Sequence, residues 1–330
     1  MKRSLMALLL AVVLVPAMAG VSAAKDKLIV YTSMKESLIG HLKTAFEKTN
    51  PDIEMDYQSA GAGKLMAKIA AERESGKILA DVLWTSEVPD FYQLKGEGML
   101  DPYISPETKD ILNPLADFDG SFTPARLGTL GVAYNTRLIK QAPASWQDVF
   151  SAPFKGAYGI ANPGLSGTSY MSVAALVNAF GWEYFQKLRA NGARIGKGSG
   201  QVVDDTASGE LAASLSVDYI ANDKIEKGAT IAMAYPPEML VIPSPVAIFK
   251  GSPHVAPARK FVDFLLSNEG QTIIAGEGTL PVRADVAIPE KFKLPTAEDA
   301  IKRAIKLDYL KMIAEKEATI KKFTDIMQGK

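Results

Sequence analysis

Cysteine is absent from all 330 residues, so no disulfide braces this chain and no thiolate can act as nucleophile or soft metal ligand. Histidine occurs only twice, and His41 and His254 sit at positions that read as a surface helix and a loop, without the spacing of a metal pair. Net charge is missing too: 37 basic residues meet 37 acidic ones, which excludes the basic footprint of a nucleic-acid binder. Neither H-E-x-x-H nor the phosphate-loop pattern G-x-x-x-x-G-K-[ST] occurs. The run Gly164-Leu165-Ser166-Gly167-Thr168 misses the G-x-S-x-G elbow of serine hydrolases, because Thr168 stands where the last glycine belongs. An exported hydrolase is therefore the weak reading. No cofactor is expected, and no enzyme activity.

Long apolar runs are scarce as well. One exists, Leu5 to Val15, preceded by Lys2 and Arg3 and followed by small residues at Ala17-Met18-Ala19 and Ser22-Ala23-Ala24. That is the three-part pattern of a cleaved secretory signal, too short for a comfortable membrane span. Residues 1–24 are thus expected to direct export to the periplasm, leaving a slightly acidic mature chain that starts near Lys25. With 47% hydrophobic residues and about twice the usual domain length, two packed units are expected.

What is present is a repeated strand–helix grammar. Leu28–Tyr31, Ile53–Tyr57 and Asp81–Trp84 read as short strands, separated by helices over about 38–48 and 64–75. The spacing predicts a parallel sheet with crossover helices, which binds ligands beyond the carboxyl ends of its strands. Ser33, Ser59 and Ser86 fall at those ends, where ordinary turns also use serine. The pattern returns with strands at 130–134, 158–161, 211–215, 231–235 and 246–249, helices over about 169–180 and 257–266, and periodic, charged helices from 297 to 327.

Two helix starts suit an anion, since the first N–H groups of a helix lack partners and the dipole adds about half a positive charge. Ser59-Ala60-Gly61-Ala62-Gly63 is one; Ser166-Gly167-Thr168, with two hydroxyls, is the other. Plain N-capping would use the same residues. Lys64, beside the first, reads as a solvated charge. Trp84, Trp146 and Trp182 read as core.

In family order, LIVYTSMKESL (28–38), YQSAGAGKLMAKIAAE (57–72), ADVLWTS (80–86), LGVAYNTRLI (130–139), ANPGLSGTSY (161–170), SGELAASLSVDY (208–219) and PSPVAIFKGSPHVAPARKFVDFLLSNEGQ (243–271) cover most of the mature chain. Together they make it resemble the ferric-iron, sugar-phosphate and aminophosphonate branch of the type II periplasmic binding proteins of ABC importers. The resemblance implies two α/β lobes, each a mainly parallel sheet flanked by helices, joined by hinge strands near 130–135 and 231–236. Lobe one would use 25–130 and 236–285, lobe two 131–235, with C-terminal helices over 286–330 packed outside. It implies a monomer that captures a small anionic ligand, a sugar phosphate or an aminophosphonate, and delivers it to a membrane permease. The acids Asp218 and Glu238 would hold the ligand's hydroxyls or ammonium, with Tyr219 and Tyr235 nearby. Ferric members share a pair of adjacent tyrosines where this chain has Asp218-Tyr219-Ile220, so iron, through Tyr31, Tyr134, Tyr219 and Tyr235, is the alternative.

Overall fold

The computed structural model describes residues 25–115 and 119–330; the expected signal segment lies outside them. Three parallel strands, β1 (Asp26–Thr32), β2 (Ile53–Ser59) and β3 (Val82–Trp84), alternate with helices α1 (Glu36–Thr49), α2 (Ala62–Glu74) and α3 (Val88–Gly96). Leu38, Leu42 and Phe46 are fully buried along one face of α1, as their spacing requires. A short β4 (Leu100–Asp101) precedes the long β5 (Thr123–Asn135).

The chain then builds a second parallel set from β6 (Tyr158–Ala161), α4 (Gly167–Phe180), α5 (Glu183–Ala190), β7 (Arg194–Gly196), α6 (Ser199–Ser208), β8 (Ala213–Val217) and α7 (Asp218–Glu226). After β9 (Ile231–Ala234), β10 (Leu240–Phe249) returns to the first set, followed by α8 (Val255–Leu266), α9 (Asn268–Gly276), α10 (Ala297–Arg303) and α11 (Tyr309–Gln328).

The ten strands of the described residues share one sheet, in the order β2-β1-β3-β10-β5-β8-β6-β7 with β4 on β10 and β9 on β5. The flanks are parallel, while β10 and β5 run antiparallel to their neighbours, so the sheet is mixed through its middle. β5 joins the two halves: Thr123–Leu130 pairs with β10, and Leu130–Tyr134 pairs with β8. The register slips between Pro243 and Pro245 of β10, where two prolines cannot donate to the ladder.

Helix α11 is more than an outer cover. It packs on α3 of the first half and on α4 and α5 of the second. Its Lys316 ammonium bonds Glu87, and lies 3.0 Å from Asp90; both acids are nearly fully buried beside α3. Burial, and then the charge of Asp90, pushes the Glu87 carboxyl up to about 7. Lys316 stays charged and its pKa rises, because Asp90 and Glu87 outweigh the burial that would lower it.

A carboxyl whose folded pKa lies above its ordinary value holds its proton more tightly when folded. Its contribution to stability is therefore greatest at acid pH and declines as pH rises from about 4.5 through 7. Urea unfolding of the wild type should lose on the order of 2 kcal/mol between pH 5 and 8 from this group. Glu87→Gln, which mimics the protonated acid, should flatten that part of the curve. Equal slopes for the two proteins would mean that Glu87 stays ionised throughout.

Candidate functional site

The carboxyl ends of β1, β2, β6, β7 and β8 converge on one cavity of about 330 Å³ between the halves of the sheet. Four helices start at its wall. Gly61 and Ala62 begin α2, Ser166 to Thr168 begin α4, Gly198 and Ser199 begin α6, and Val217, Tyr219 and Ile220 flank the start of α7. No side chain caps α2 or α6, so their leading N–H groups lack the usual side-chain acceptor. Serine caps α4 at long range, Ser166 Oγ accepting from the Ser169 N–H at 3.4 Å.

Three hydroxyls meet at this wall. Ser166 Oγ, Thr168 Oγ1 and Ser199 Oγ lie 2.9 to 3.0 Å from one another, a closed triangle drawn from α4 and α6. Each hydroxyl carries one proton and can rotate, so three protons can turn from one another toward an acceptor in the cavity. Facing them, Ser33 Oγ accepts from the Ser86 N–H at 3.1 Å and Ser59 Oγ donates to the Met34 carbonyl at 2.6 Å, which fixes both serines at the rim.

Glycine lets the halves touch. A Cβ on Gly61 would stand 2.4 Å from the Leu165 carbonyl oxygen, and one on Gly63 would stand 3.0 Å from that of Gly164. A Cβ on Gly167 would press against Glu87 Cβ at 2.9 Å. The Gly-rich loop of one half and the loop ahead of α4 in the other therefore meet backbone to backbone. Tyr219 adds a further bridge, its hydroxyl accepting from the Lys35 N–H at 3.0 Å.

Eight of the residues expected from the sequence line the cavity: Ser33, Ser59, Gly61, Ala62, Ser166, Gly167, Thr168 and Tyr219. Five do not. Gly63 lies at the contact with Gly164, and Ser86 is buried against Ser244 and Arg126. Asp218 is fully buried rather than facing the ligand, because β8 gives way to α7 at this point and turns the side chain inward. There it accepts from the Thr129 N–H (2.8 Å), Thr129 Oγ1 (2.9 Å), Thr279 Oγ1 (2.6 Å) and the Tyr219 N–H (2.7 Å), with Arg126 at 3.6 Å. Glu238 is exposed on the turn before β10 and away from the cavity, and only its carbonyl is engaged, by the Trp146 indole at 2.8 Å. Tyr235 buries its hydroxyl in the protein near Thr129 rather than lining the cavity.

The four tyrosines of the iron alternative do not converge. Tyr31 donates to Glu72 at 2.7 Å, Tyr134 lies along β5, and Tyr219 alone lines the cavity. Burial raises the Tyr219 pKa, with Arg126 opposing it, so the phenol is protonated at neutral pH. Ser199, Lys35, Lys197 and Gly198 were not among the expected site residues. Gly198-Ser199 opening a helix after a short strand repeats the Gly/Ser signal of the other two starts, and is the sign that could have found α6.

A family model for bacterial extracellular solute-binding proteins matches residues 31–272. The chain belongs to that family. Its members bind solutes outside the cytoplasm and are not enzymes. Relatives include a proposed 2-aminoethylphosphonate-binding periplasmic protein of Salmonella typhimurium, 29% identical over 276 residues, with 77% of each chain covered. Among solved structures, the periplasmic binding protein AfuA of Actinobacillus pleuropneumoniae, with fructose-6-phosphate bound, is 25% identical with a TM-score of 0.77 over 92% of this chain and 99% of its own. Iron-bound HitA of Pseudomonas aeruginosa is 22% identical with a TM-score of 0.76, over 91% and 99%. This solute-binding protein has the α/β fold that these structures share, with its mixed sheet flanked by helices.

In this solute-binding protein Asp218 belongs to the joint behind the cavity. Asp218→Asn leaves the Arg126 guanidinium, itself fully buried, without its charge partner. The variant should lose about 3–5 kcal/mol of stability in urea unfolding, the usual cost of breaking a buried pair. Glu238→Gln, on an exposed turn, should stay within about 0.5 kcal/mol of wild type. A fully stable Asp218→Asn protein would mean that the carboxylate is already protonated in the fold.

Proposed function

We propose that this protein captures a phosphate- or phosphonate-bearing organic compound in the cavity between its halves and delivers it to an ABC importer. On this reading residues 1–24 direct export to the periplasm. One lobe comprises 25–130 with 236–285, the other comprises 131–235, and 286–330 pack on both. The hinge runs through the strands near 130–135 and 231–236. The observation that carries the ligand class is the Ser166–Thr168–Ser199 hydroxyl triangle at the starts of α4 and α6, beside the α2 and α6 starts that lack side-chain caps. A tetrahedral oxyanion accepts from several donors at once and suits the positive end of a helix dipole. Donors come from both halves, so the anion favours the closed arrangement by binding it better than the open one. The names of the Salmonella relative and of AfuA, which carry a phosphonate and a sugar phosphate, point the same way.

A melting-curve screen of inorganic phosphate, sugar phosphates, phosphonates and chelated ferric iron tests the reading. A phosphorus compound at 100 times its Kd should stabilise the protein by about 2.7 kcal/mol. Changing Ser166, Thr168 and Ser199 together to alanine should weaken its binding by at least about tenfold, since hydrogen bonds to a charged group contribute about 1.5–3 kcal/mol each. Stabilisation by ferric iron alone, with a saturable visible band lost in Tyr219→Phe, would replace the anion by the metal.

A further inference from the structure

Among the described residues the cavity wall carries three lysines and no carboxylate. Lys35 follows β1, Lys64 sits in the first turn of α2, and Lys197 lies between β7 and α6, so the three lysines come from three segments and both halves. Among the described residues none of the three has an acidic partner within ion-pair range. The contrast with Lys68, one helical turn beyond Lys64, is direct: Lys68 meets Glu72 at 2.9 Å. Unpaired charges of one sign around a concave site with low-dielectric walls reinforce each other's field and repel a cation.

The acids behind the wall are engaged elsewhere, Glu277 by the His41 imidazole. Asp218 is enclosed by Arg126, Thr129 and Thr279, and Glu87 is held by Lys316. A ligand ammonium would therefore meet three lysines on the lining and, among the described residues, no lining carboxylate. The helix starts and the hydroxyl triangle already provide for one oxyanion, which leaves the lysines in excess of what a single phosphoryl or phosphonyl group needs. At about 330 Å³ the cavity is at the small end for ligand sites, so a second group must lie a short chain away from the first.

We propose that the ligand carries a second acidic group separated from its phosphorus by a few carbon atoms, and that this site discriminates against the ammonium of an aminophosphonate. Lys64 and Lys197 are the residues that set this preference, with Lys35, whose N–H bonds the Tyr219 hydroxyl, on the same wall. The proposal rests on the phosphate or phosphonate reading of the same cavity.

Calorimetric titration at low salt with three phosphonates of similar size tests it: 3-phosphonopropionate, with a carboxylate at the far end, propylphosphonate, with a methyl group, and 2-aminoethylphosphonate, with an ammonium. Affinity should fall in that order, with the carboxylate compound at least about tenfold tighter than the methyl compound, since charge-assisted bonds are about twice as strong as neutral ones. In a Lys64→Met, Lys197→Met double variant, 3-phosphonopropionate should lose at least about five times more affinity than propylphosphonate. Both lysines are exposed, and the melting curve without ligand checks that the variant is folded. Binding of 2-aminoethylphosphonate as tight as that of 3-phosphonopropionate, or equal losses for both compounds in the variant, would overturn the proposal and leave the phosphonate reading intact. Failure of all three to bind would remove the phosphonate reading and the proposal with it.

Discussion

Backbone N–H groups at the start of a helix need an acceptor, and here the starts of helices from both halves of the sheet face the same cavity. That requirement organises the rest of the molecule. Parallel strands place each helix start at the same edge, and a sheet continuous through β5 turns the edges of both halves toward each other. Gly61, Gly63 and Gly167 keep the facing loops bare, so the halves approach until backbone meets backbone. A side chain at any of these positions would hold the donors apart, and no single anion could satisfy both sets.

Behind the donors lies a second layer that the ligand never needs to touch. Arg126 is fully buried and bonds Ser244 and Thr279 at 3.2 and 3.3 Å, with Asp218 at 3.6 Å and the Tyr219 ring stacked 4.8 Å away. It thereby connects β5, β10 and the start of α7, where the two halves join. Gly128 is part of this arrangement, because a Cβ there would come within 2.6 Å of the guanidinium. Elsewhere along the seam, Lys316 of α11, which packs on α4 and α5, ties the second half to α3 through Glu87 and Asp90. Both ion clusters are buried and specific in geometry, which suits a joint that has to return to one arrangement.

Much of this was legible in the sequence. Strand–helix alternation gave the parallel flanks, and the strand ends gave Ser33 and Ser59, because a parallel sheet leaves little choice about where its loops gather. The Gly/Ser helix starts at 59–63 and 166–168 followed from the same logic. Asp218 was misplaced for a physical reason: a carboxylate at a strand end is equally able to satisfy neighbouring backbone and threonine donors as to meet a ligand, and local sequence does not show Thr129 or Thr279 arriving from far away. Arg126 was invisible because it sits in a run of strand residues with nothing to mark it as buried and paired. Lys35 and Lys197 look like any solvated lysine until the fold brings them to one wall. Helices α3, α6 and α7 leave little trace in the sequence, because short helices with mixed faces carry weak periodicity.

The central claim is that the cavity closes on a phosphorus-bearing oxyanion. Native mass spectrometry of protein purified without refolding, followed by phosphorus NMR of whatever is released on unfolding, addresses it directly. The account predicts a retained small molecule in about stoichiometric amount that gives a phosphorus resonance, absent from the protein whose Ser166, Thr168 and Ser199 are alanine. A retained metal ion, or an organic ligand without phosphorus that survives those substitutions, would contradict it.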